Sequence, residues 1–355
     1  MLSKDIENDL LETLLTIEAN YSKFLVRQKN ALYFAGGWNG PHFALETPVR
    51  NSCHWLVTYS ILFNVTGDEK YKKHAYDIFH WLTIDNPFFQ SGYYINRQRQ
   101  GQDFCNGVIG NAWIYEAFCI FEDVFCEVTF KDRIIQNMKF NHRLSLWHRF
   151  DAINKNFKID YTFDHQAWFA SCLAISSKGE HRNNVQEFLE NIRNIVSFDE
   201  GMIIQHICNT RSVKNYLIKL NYLKNKRNKD HNIYVVEQGY SIYSIFPFAR
   251  MKQYGYSIDQ LFHDSVNKLD ISFFEKNLRN KYLFKYNNPV FELPLVLLSF
   301  PNKNLSENFT KLIELNDVYF KNGLFQDVDD NLTLASRAYE LALYFYHRNN
   351  QKCVV

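Results

Sequence analysis

Two kinds of helical segment alternate along this chain, and that alternation constrains the fold more than any single motif. One kind is amphipathic, with charges on one face, at roughly 5–26, 68–83, 129–141, 181–196, 257–267 and 304–316. The other is apolar on nearly every side, at roughly 49–66, 104–122, 163–177, 236–250, 289–300 and 331–347. A helix with so little polar face must be covered all round. Six covered helices alternating with six half-covered ones predict an inner ring within an outer ring. The links from inner to outer helices are short: "VTGDEK" at 65–70, "SSKGEH" at 176–181, "KQYGYS" at 252–257 and "PNKNLS" at 301–306. Each pair therefore reads as an antiparallel hairpin. The return links are long and hold alternating segments that read as strands: "SGYYINRQRQ" (91–100), "LSLWHRFD" with "NFKIDYTF" (144–163) and "EGMIIQHI" (200–207). The expected fold is all-α, an (α/α)6 toroid forming a single domain over 1–355, with short β-hairpins in the long loops at one end. Two helical domains split near 225–232, or an irregular α-solenoid, are the alternatives.

Composition narrows the function classes. The chain is 46% hydrophobic and 17% aromatic, enough for a large core and unlike a disordered chain. A formal net charge of +2 gives no reason to expect a nucleic-acid surface. The basic run "KNKRNKD" at 224–230 reads as a solvated loop. The opening "MLSKDIENDLLETLL" lacks a signal-peptide pattern, and the greasiest stretch, "PVFELPLVLLSF", is too short to span a bilayer and contains Glu292. Seven scattered cysteines without a CxxC pair read mostly as buried free thiols, so a cytoplasmic location is expected.

Every inner helix opens with polar residues: "ETPVRNSCHW" (46–55), "QDFCNGVIGNAW" (102–113), "TFDHQAW" (162–168), "VVEQGYSIY" (235–243), "NNPVFELP" (287–294) and "DDNLTLASRAYE" (329–340). Side by side, these turns converge at one end of the ring. Capping needs one Ser, Thr, Asp or Asn, not the Arg, His, Gln and Trp beside it. Arg50, Asn51 and His54 can share one helix face and line a central cavity. The helix N-termini favour an anionic ligand there. Taken singly, Asp103, Asp164 and Asp330 also suit simple caps, and Arg337 with Glu340 a structural pair.

The alternation, with "TPVRNSCHW", "DFCNGVIGNAW", "DYTFDHQAWFA" and "SRAYELA", resembles the six-hairpin (α/α) toroids of carbohydrate enzymes. That group includes N-acylglucosamine 2-epimerases, unsaturated glucuronyl hydrolases and alginate or heparin lyases, and the nearest likeness is to toroid proteins encoded with bacterial surface-polysaccharide genes. It covers roughly residues 30–348. No motif carries catalytic residues across.

Three reactions fit such a mouth. Glycoside hydrolysis needs two carboxylates, with Asp103, Asp164, Glu237 and Glu292 as candidates. Lyase chemistry on a uronic acid needs a neutralising group, from Asn51, Asn106, Gln166 or the arginines, and a base, from His54, His165, Tyr240 or Tyr339. Epimerisation needs two proton-transfer groups, for which His54 and His165 are the candidate pair. Trp38, Trp55, Trp113, Trp147 and Trp168 lie in or beside the mouth segments, where indole faces suit sugar rings as well as a core. Arg50, Arg97, Arg99 and Arg149 make a basic rim that matches a carboxylate, so an acidic sugar is the expected substrate class.

Two short motifs are discounted. "DVDD" at 327–330 matches the acid motif of class II terpene cyclases, but the chain is too short and lacks their tryptophan-glutamine repeats. Cys53 and His54 are adjacent on a helix and point about 100° apart, so a zinc site is not expected. The resulting expectation is an enzyme, a hydrolase or lyase, cleaving an acidic oligo- or polysaccharide without a cofactor. Asp103, Asp164, His54 and His165 are its catalytic residues. Arg50, Asn51, Asn106, Trp113, Gln166, Trp168, Arg97, Arg149, Glu237, Tyr240, Glu292 and Arg337 contact substrate. A sugar epimerase, or a non-catalytic glycan-binding toroid, are the alternatives.

Overall fold

The computed structural model describes residues 2–29, 31–90, 92–98, 103–136, 138–176, 178–199, 202–204, 208, 213–227 and 231–352. The inner helices are α2 (Pro48–Thr66), α4 (Ile109–Phe125), α6 (Phe163–Leu173), α10 (His231–Gly239) with α11 (Phe246–Gln253), α14 (Pro289–Ser299), and α17 (Asn331–Ser336) with α18 (Tyr339–Lys352). Around them lie α1 (Lys4–Tyr21), α3 (Glu69–His80), α5 (Lys131–Ile135), α7 (Gly179–Glu190) with α8 (Ile192–Ile195), α12 (Gln260–Asn267) with α13 (Ile271–Lys276), and α15 (Lys303–Glu307) with α16 (Phe309–Asn316). A further helix, α9 (Val213–Arg227), stands in a return link. Neighbouring inner helices pack in the order α2, α4, α6, α11, α14, α18, and α18 packs back on α2, which closes the ring.

Local chemistry starts these helices where the sequence predicts. Thr47 caps α2 by accepting from Val49 N–H, Pro48 takes the first turn, and Gly67 ends the helix at φ 71°. Several segments depart from expectation. The first outer helix ends at Tyr21 rather than 26, ahead of a strand that begins at Leu25, and the helices expected over 304–316 and 331–347 are each split in two. The second inner helix begins at Ile109 rather than 104, because Asn106 and Gly107 adopt positive φ. The fourth is broken after Gly239 and restarts at Phe246, since Pro247 cannot donate to a preceding turn. The outer segment expected to 141 stops at Ile135; Phe140 instead pairs with Trp147 in a strand ladder.

The return links do carry hairpins. They are β1 (Leu25–Gln28) with β2 (Ala31–Phe34), β3 (Phe89–Gln90) with β4 (Tyr93–Tyr94), β5 (Phe140–Asn141), β6 (Leu146–Asp151) and β7 (Asn156–Ile159) as one sheet, β8 (Phe198–Asp199) with β9 (Met202–Ile203), and β10 (Phe320–Lys321) with β11 (Leu324–Phe325). Residues 91, 99–100, 200–201 and 205–207 of the expected strands lie outside the described residues. Cys53, Cys105, Cys119, Cys172 and Cys208 are buried and Cys126 is exposed, none of them in a disulfide among the described residues; Cys353 lies outside the described residues. Among the described residues no helix is long and apolar enough to cross a membrane.

Charge is buried inside the ring as pairs. Arg250 meets Glu116 with neither side chain exposed, and donates to Ser171 Oγ at 3.1 Å. Arg337 donates to Glu292 at 2.7 Å and to Glu340 at 2.8 Å, both buried. Such pairs are costly to break, because the surviving charge is stranded. Arg250→Met should lower unfolding free energy by about 3–5 kcal/mol, and adding Glu116→Leu should recover most of that loss. Urea denaturation of the single and double variants checks both values.

Candidate functional site

The loop before α2 and the starts of α4, α6 and α14 meet at one end of the ring. A half-open cavity of ≈ 290 Å³ lies there, lined by Asn39, His42, Ala44, Arg50, Arg97, Asn106, Ile109, Trp113, Asp164, His165, Tyr240, Tyr243 and Tyr286. Its size is at the lower end for small-molecule sites.

Asp160 organises one side. Its Oδ2 accepts from His165 Nδ1 at 2.8 Å and from Val108 N–H at 3.0 Å, while Oδ1 accepts from Thr162 N–H at 3.0 Å. One carboxylate thus ties the start of α4 to the start of α6. Burial opposes its ionisation, but His165 and the two backbone donors outweigh it and hold Asp160 at about 2. With Nδ1 donating to Asp160, His165 is left with Nε2 as its proton-exchanging atom. Gly107 sits against this pair at φ 64°, and a Cβ there would collide with both Asp160 Oδ2 and His165 Nδ1.

Asp164, one residue before His165, behaves differently. Burial raises its carboxyl well above the usual range; Ser244, donating at 3.1 Å, opposes the rise and Glu237 adds to it. On the cavity wall, Asp164 therefore holds its proton more tightly than an ordinary carboxyl does. Its Oδ1, the amide oxygen of Asn106 and the Nε of Arg97 are buried polar atoms without a protein partner.

The loop before α2 supplies the other side. Asp330 caps α17 by accepting from Thr333 N–H at 3.1 Å, and the same carboxylate accepts from Trp38 N–H at 2.5 Å and Gly40 N–H at 3.3 Å. The last Asp of "DVDD" is therefore a cap and a loop anchor. The anchored loop presents His42, whose Nε2 shares a 2.7 Å hydrogen bond with Tyr240 Oη. Burial, then the charges of Arg97, Arg50 and Lys281, push His42 down to about 4, so its ring is neutral at pH 7.

Two arginines face this cavity differently. Arg50 is held by Glu46 at 3.1 Å, donates to Asn39 at 2.7 Å and lies 4.5 Å over the Trp113 ring. Arg97 has no ion-pair partner among the described residues. Its charge acts on Glu46, its partner in a β-bridge, without a direct ion pair.

Of the residues expected at the mouth, Arg50, Arg97, Asn106, Trp113, Asp164, His165 and Tyr240 line this cavity. The others lie elsewhere. His54 is buried against Tyr339, with rings stacked 4.0 Å apart, and burial lowers its pKa well below the usual value. Asp103 accepts from the N–H groups of Cys105 and Gly107 and is paired with Arg149. Asn51 links Ala35 to Ser336, and Gln166 clamps the backbone of Trp147 and Asp160. Trp168 stacks on Tyr243 in the core, and Glu237 is buried near Asp164 without lining the cavity. Arg337 and Glu292 are a layer below, with Arg337 4.7 Å from the Tyr243 ring. Arg99 lies outside the described residues.

His42, Asn39, Tyr243, Tyr286 and Asp160 were missed by pattern reading. Asp160 had one local signal, the "DYTFDH" spacing of two acids around a histidine. Among the described residues no three His, Cys, Asp or Glu side chains group as a metal site.

No protein-family model matches the chain. It is similar to archaeal glycosylation protein Q of Haloferax volcanii, 27% identical over 345 residues that cover 86% of this chain and 90% of that protein. A D-mannose isomerase superposes with a TM-score of 0.65 at 10% identity, over 98% of both chains. A cellobiose 2-epimerase from Bacillus thermoamylovorans also gives 0.65 at 10% identity, over 97% of this chain and all of that one. A GH76A α-1,6-mannanase from Salegentibacter gives 0.55 at 12% identity, over 95% and 99%. The protein is thus an (α/α)6 toroid, the fold of these carbohydrate-active enzymes.

The Asp160 carboxylate couples stability to pH. Its folded pKa lies below the ordinary carboxylate value of 3.8, so its contribution is full above pH 4 and is lost as pH falls through about 2. That span corresponds to about 2 kcal/mol. Asp160→Asn should lack this term. The stability gap between wild type and variant, read by urea denaturation, should narrow as pH drops from 4 to 2.

Proposed function

We propose that this protein is a sugar isomerase or epimerase that moves a carbon-bound proton on one anionic sugar unit. The observation that carries the reading is the pairing of two imidazoles with a single carboxyl of raised pKa in one cavity. His165, fixed by Asp160 through Nδ1, takes or returns a proton at Nε2. His42, held by Tyr240, is neutral and suited to the partner transfer. The protonated Asp164 donates to the substrate oxygen on which charge develops. Arg97 and Asn106 take the anionic group.

This reading displaces hydrolysis from first place on chemical grounds. Hydrolysis uses two carboxyl groups flanking the bond, whereas Asp164 is the one carboxyl among the described lining residues. The cavity volume suits a single sugar unit better than a polysaccharide segment. The name of the archaeal relative, a glycosylation protein, supports a carbohydrate setting. Lyase chemistry remains the second reading, favoured by Arg97. The same cation and base would remove a proton next to a uronate carboxylate, and loss of the neighbouring substituent would complete the cleavage.

Incubation in D2O with uronic acids, sugar phosphates and neutral aldoses separates these readings. Solvent deuterium should enter a carbon of an anionic sugar without bond cleavage, as read by NMR. A new ultraviolet absorbance from an unsaturated uronate would establish the lyase instead, and new reducing ends without carbon-bound deuterium would establish hydrolysis. His165→Ala should lower kcat at least about 100-fold with the fold intact by circular dichroism. Arg97→Ala should raise KM for the anionic sugar roughly 10–100-fold while leaving a neutral analogue nearly unaffected.

A further inference from the structure

Helix α9 turns an apolar face to solvent. Val213, Tyr216, Leu217, Leu220 and Leu223 recur at helical spacing, and they are 76, 63, 59, 44 and 45% exposed. Tyr222, on the opposite side by register, is only 4% exposed, so the helix already rests on the body through its other face. It packs against α10 and the β8–β9 hairpin precedes it in the return link. Such links run at the mouth end of the ring, and Tyr240 of the cavity follows α10 directly.

The charge of this helix is as one-sided as its exposure. The segment "VKNYLIKLNYLKNKR" has five Lys or Arg residues and no Asp or Glu. Part of the basic run expected to be a solvated loop, Lys224–Arg227, is thus the last turn of a helix whose preceding turns expose leucine and tyrosine. Exposed apolar stripes on otherwise wet surfaces mark contact sites. A two-fold contact between copies through this helix would set its five cations against themselves. An anionic bilayer surface suits both features at once: the exposed apolar stripe matches the headgroup boundary, and a segment with five basic and no acidic residues matches the phosphates.

We propose that α9 is an in-plane membrane anchor that docks this protein on anionic phospholipid with the cavity mouth close to the bilayer. Two signals act together. Apolar insertion alone is weak for so short a stripe, and each Lys or Arg near an anionic surface strengthens binding roughly fivefold. The proposal stands apart from the sugar chemistry. Turnover of a soluble anionic sugar should survive changes in α9, and loss of that turnover would leave vesicle binding untouched.

Co-sedimentation of the full chain with vesicles tests it. Binding should be strong on mixed phosphatidylglycerol and phosphatidylcholine, weak on phosphatidylcholine alone, and reduced by high salt. Leu217→Ser with Leu220→Ser should weaken binding at least about tenfold, and Lys224→Glu should weaken it roughly tenfold. The salt series needs no variant, so the test survives if a variant fails to fold. The idea is overturned by no binding to anionic vesicles, by equal binding to both lipid mixtures, or by wild-type binding of the serine variant. A dimer by light scattering that the serine variant dissolves would overturn it too, by assigning the stripe to a second copy.

Discussion

Closing six helices into a ring creates an axis that water reaches only from the ends, and every polar group on that axis must then find its partner inside the protein. The buried guanidinium groups show how this is met. Arg50 is held by Glu46 at the mouth, Arg337 by Glu292 and Glu340 beneath it, and Arg250 by Glu116 within the ring. An apolar axis would be simpler to fold, since unpaired buried charge is penalised heavily. Pairing removes that penalty and leaves a stiff polar column under the cavity. At its top the Nε of Arg97, the amide oxygen of Asn106 and one oxygen of Asp164 have no hydrogen-bond partner among the described residues, and deeper in the ring the two ring nitrogens of His54 have none either.

The cavity is built from two sources, each anchored by one carboxylate. The starts of α4 and α6 are locked together through one carboxylate, Asp160, which bonds a side chain on one helix and a backbone N–H on the other. The loop before α2 is pinned by Asp330 at the start of the neighbouring α17, about 290 residues away in sequence. Neither anchor touches the cavity, yet each sets the position of a histidine that does. Two carboxyls four residues apart are then shifted in opposite directions. Asp160, with three donors, is pulled down, whereas Asp164, with one donor and a carboxylate nearby, is pushed up by burial. The proposed proton-transfer chemistry draws on that division.

Pattern reading reached part of this site. Arg50, Asn106, Trp113, Asp164, His165 and Tyr240 were visible because they open apolar helices, where a polar cluster has no packing reason to exist. His54 shared that pattern, but it is one turn too deep, against Tyr339 and Trp113. Depth along a helix is set by where neighbouring helices begin, which periodicity does not contain. His42 was hidden for the opposite reason. It belongs to an irregular loop with positive-φ residues on both sides, and no repeat points to it. The basic run misled in a third way over Lys224–Arg227, where its charges suggested a loop and the helix instead continued; 228–230 lie outside the described residues.

What the sequence by itself determined is the layered helical architecture: apolar segments that had to be enclosed, amphipathic ones that had to enclose them, and caps such as Thr47-Pro48 that start the helices. These are local properties, written in spacing and side-chain type. What only the tertiary structure decided is which polar tips meet, which become one another's partners, and which are left facing the cavity. That choice depends on distances between residues such as Asp330 and Trp38, or Asp160 and Val108, far apart in the chain. Electrostatic identity follows from those distances, because a carboxyl is an anion or an acid according to the donors and the dielectric that folding brings to it.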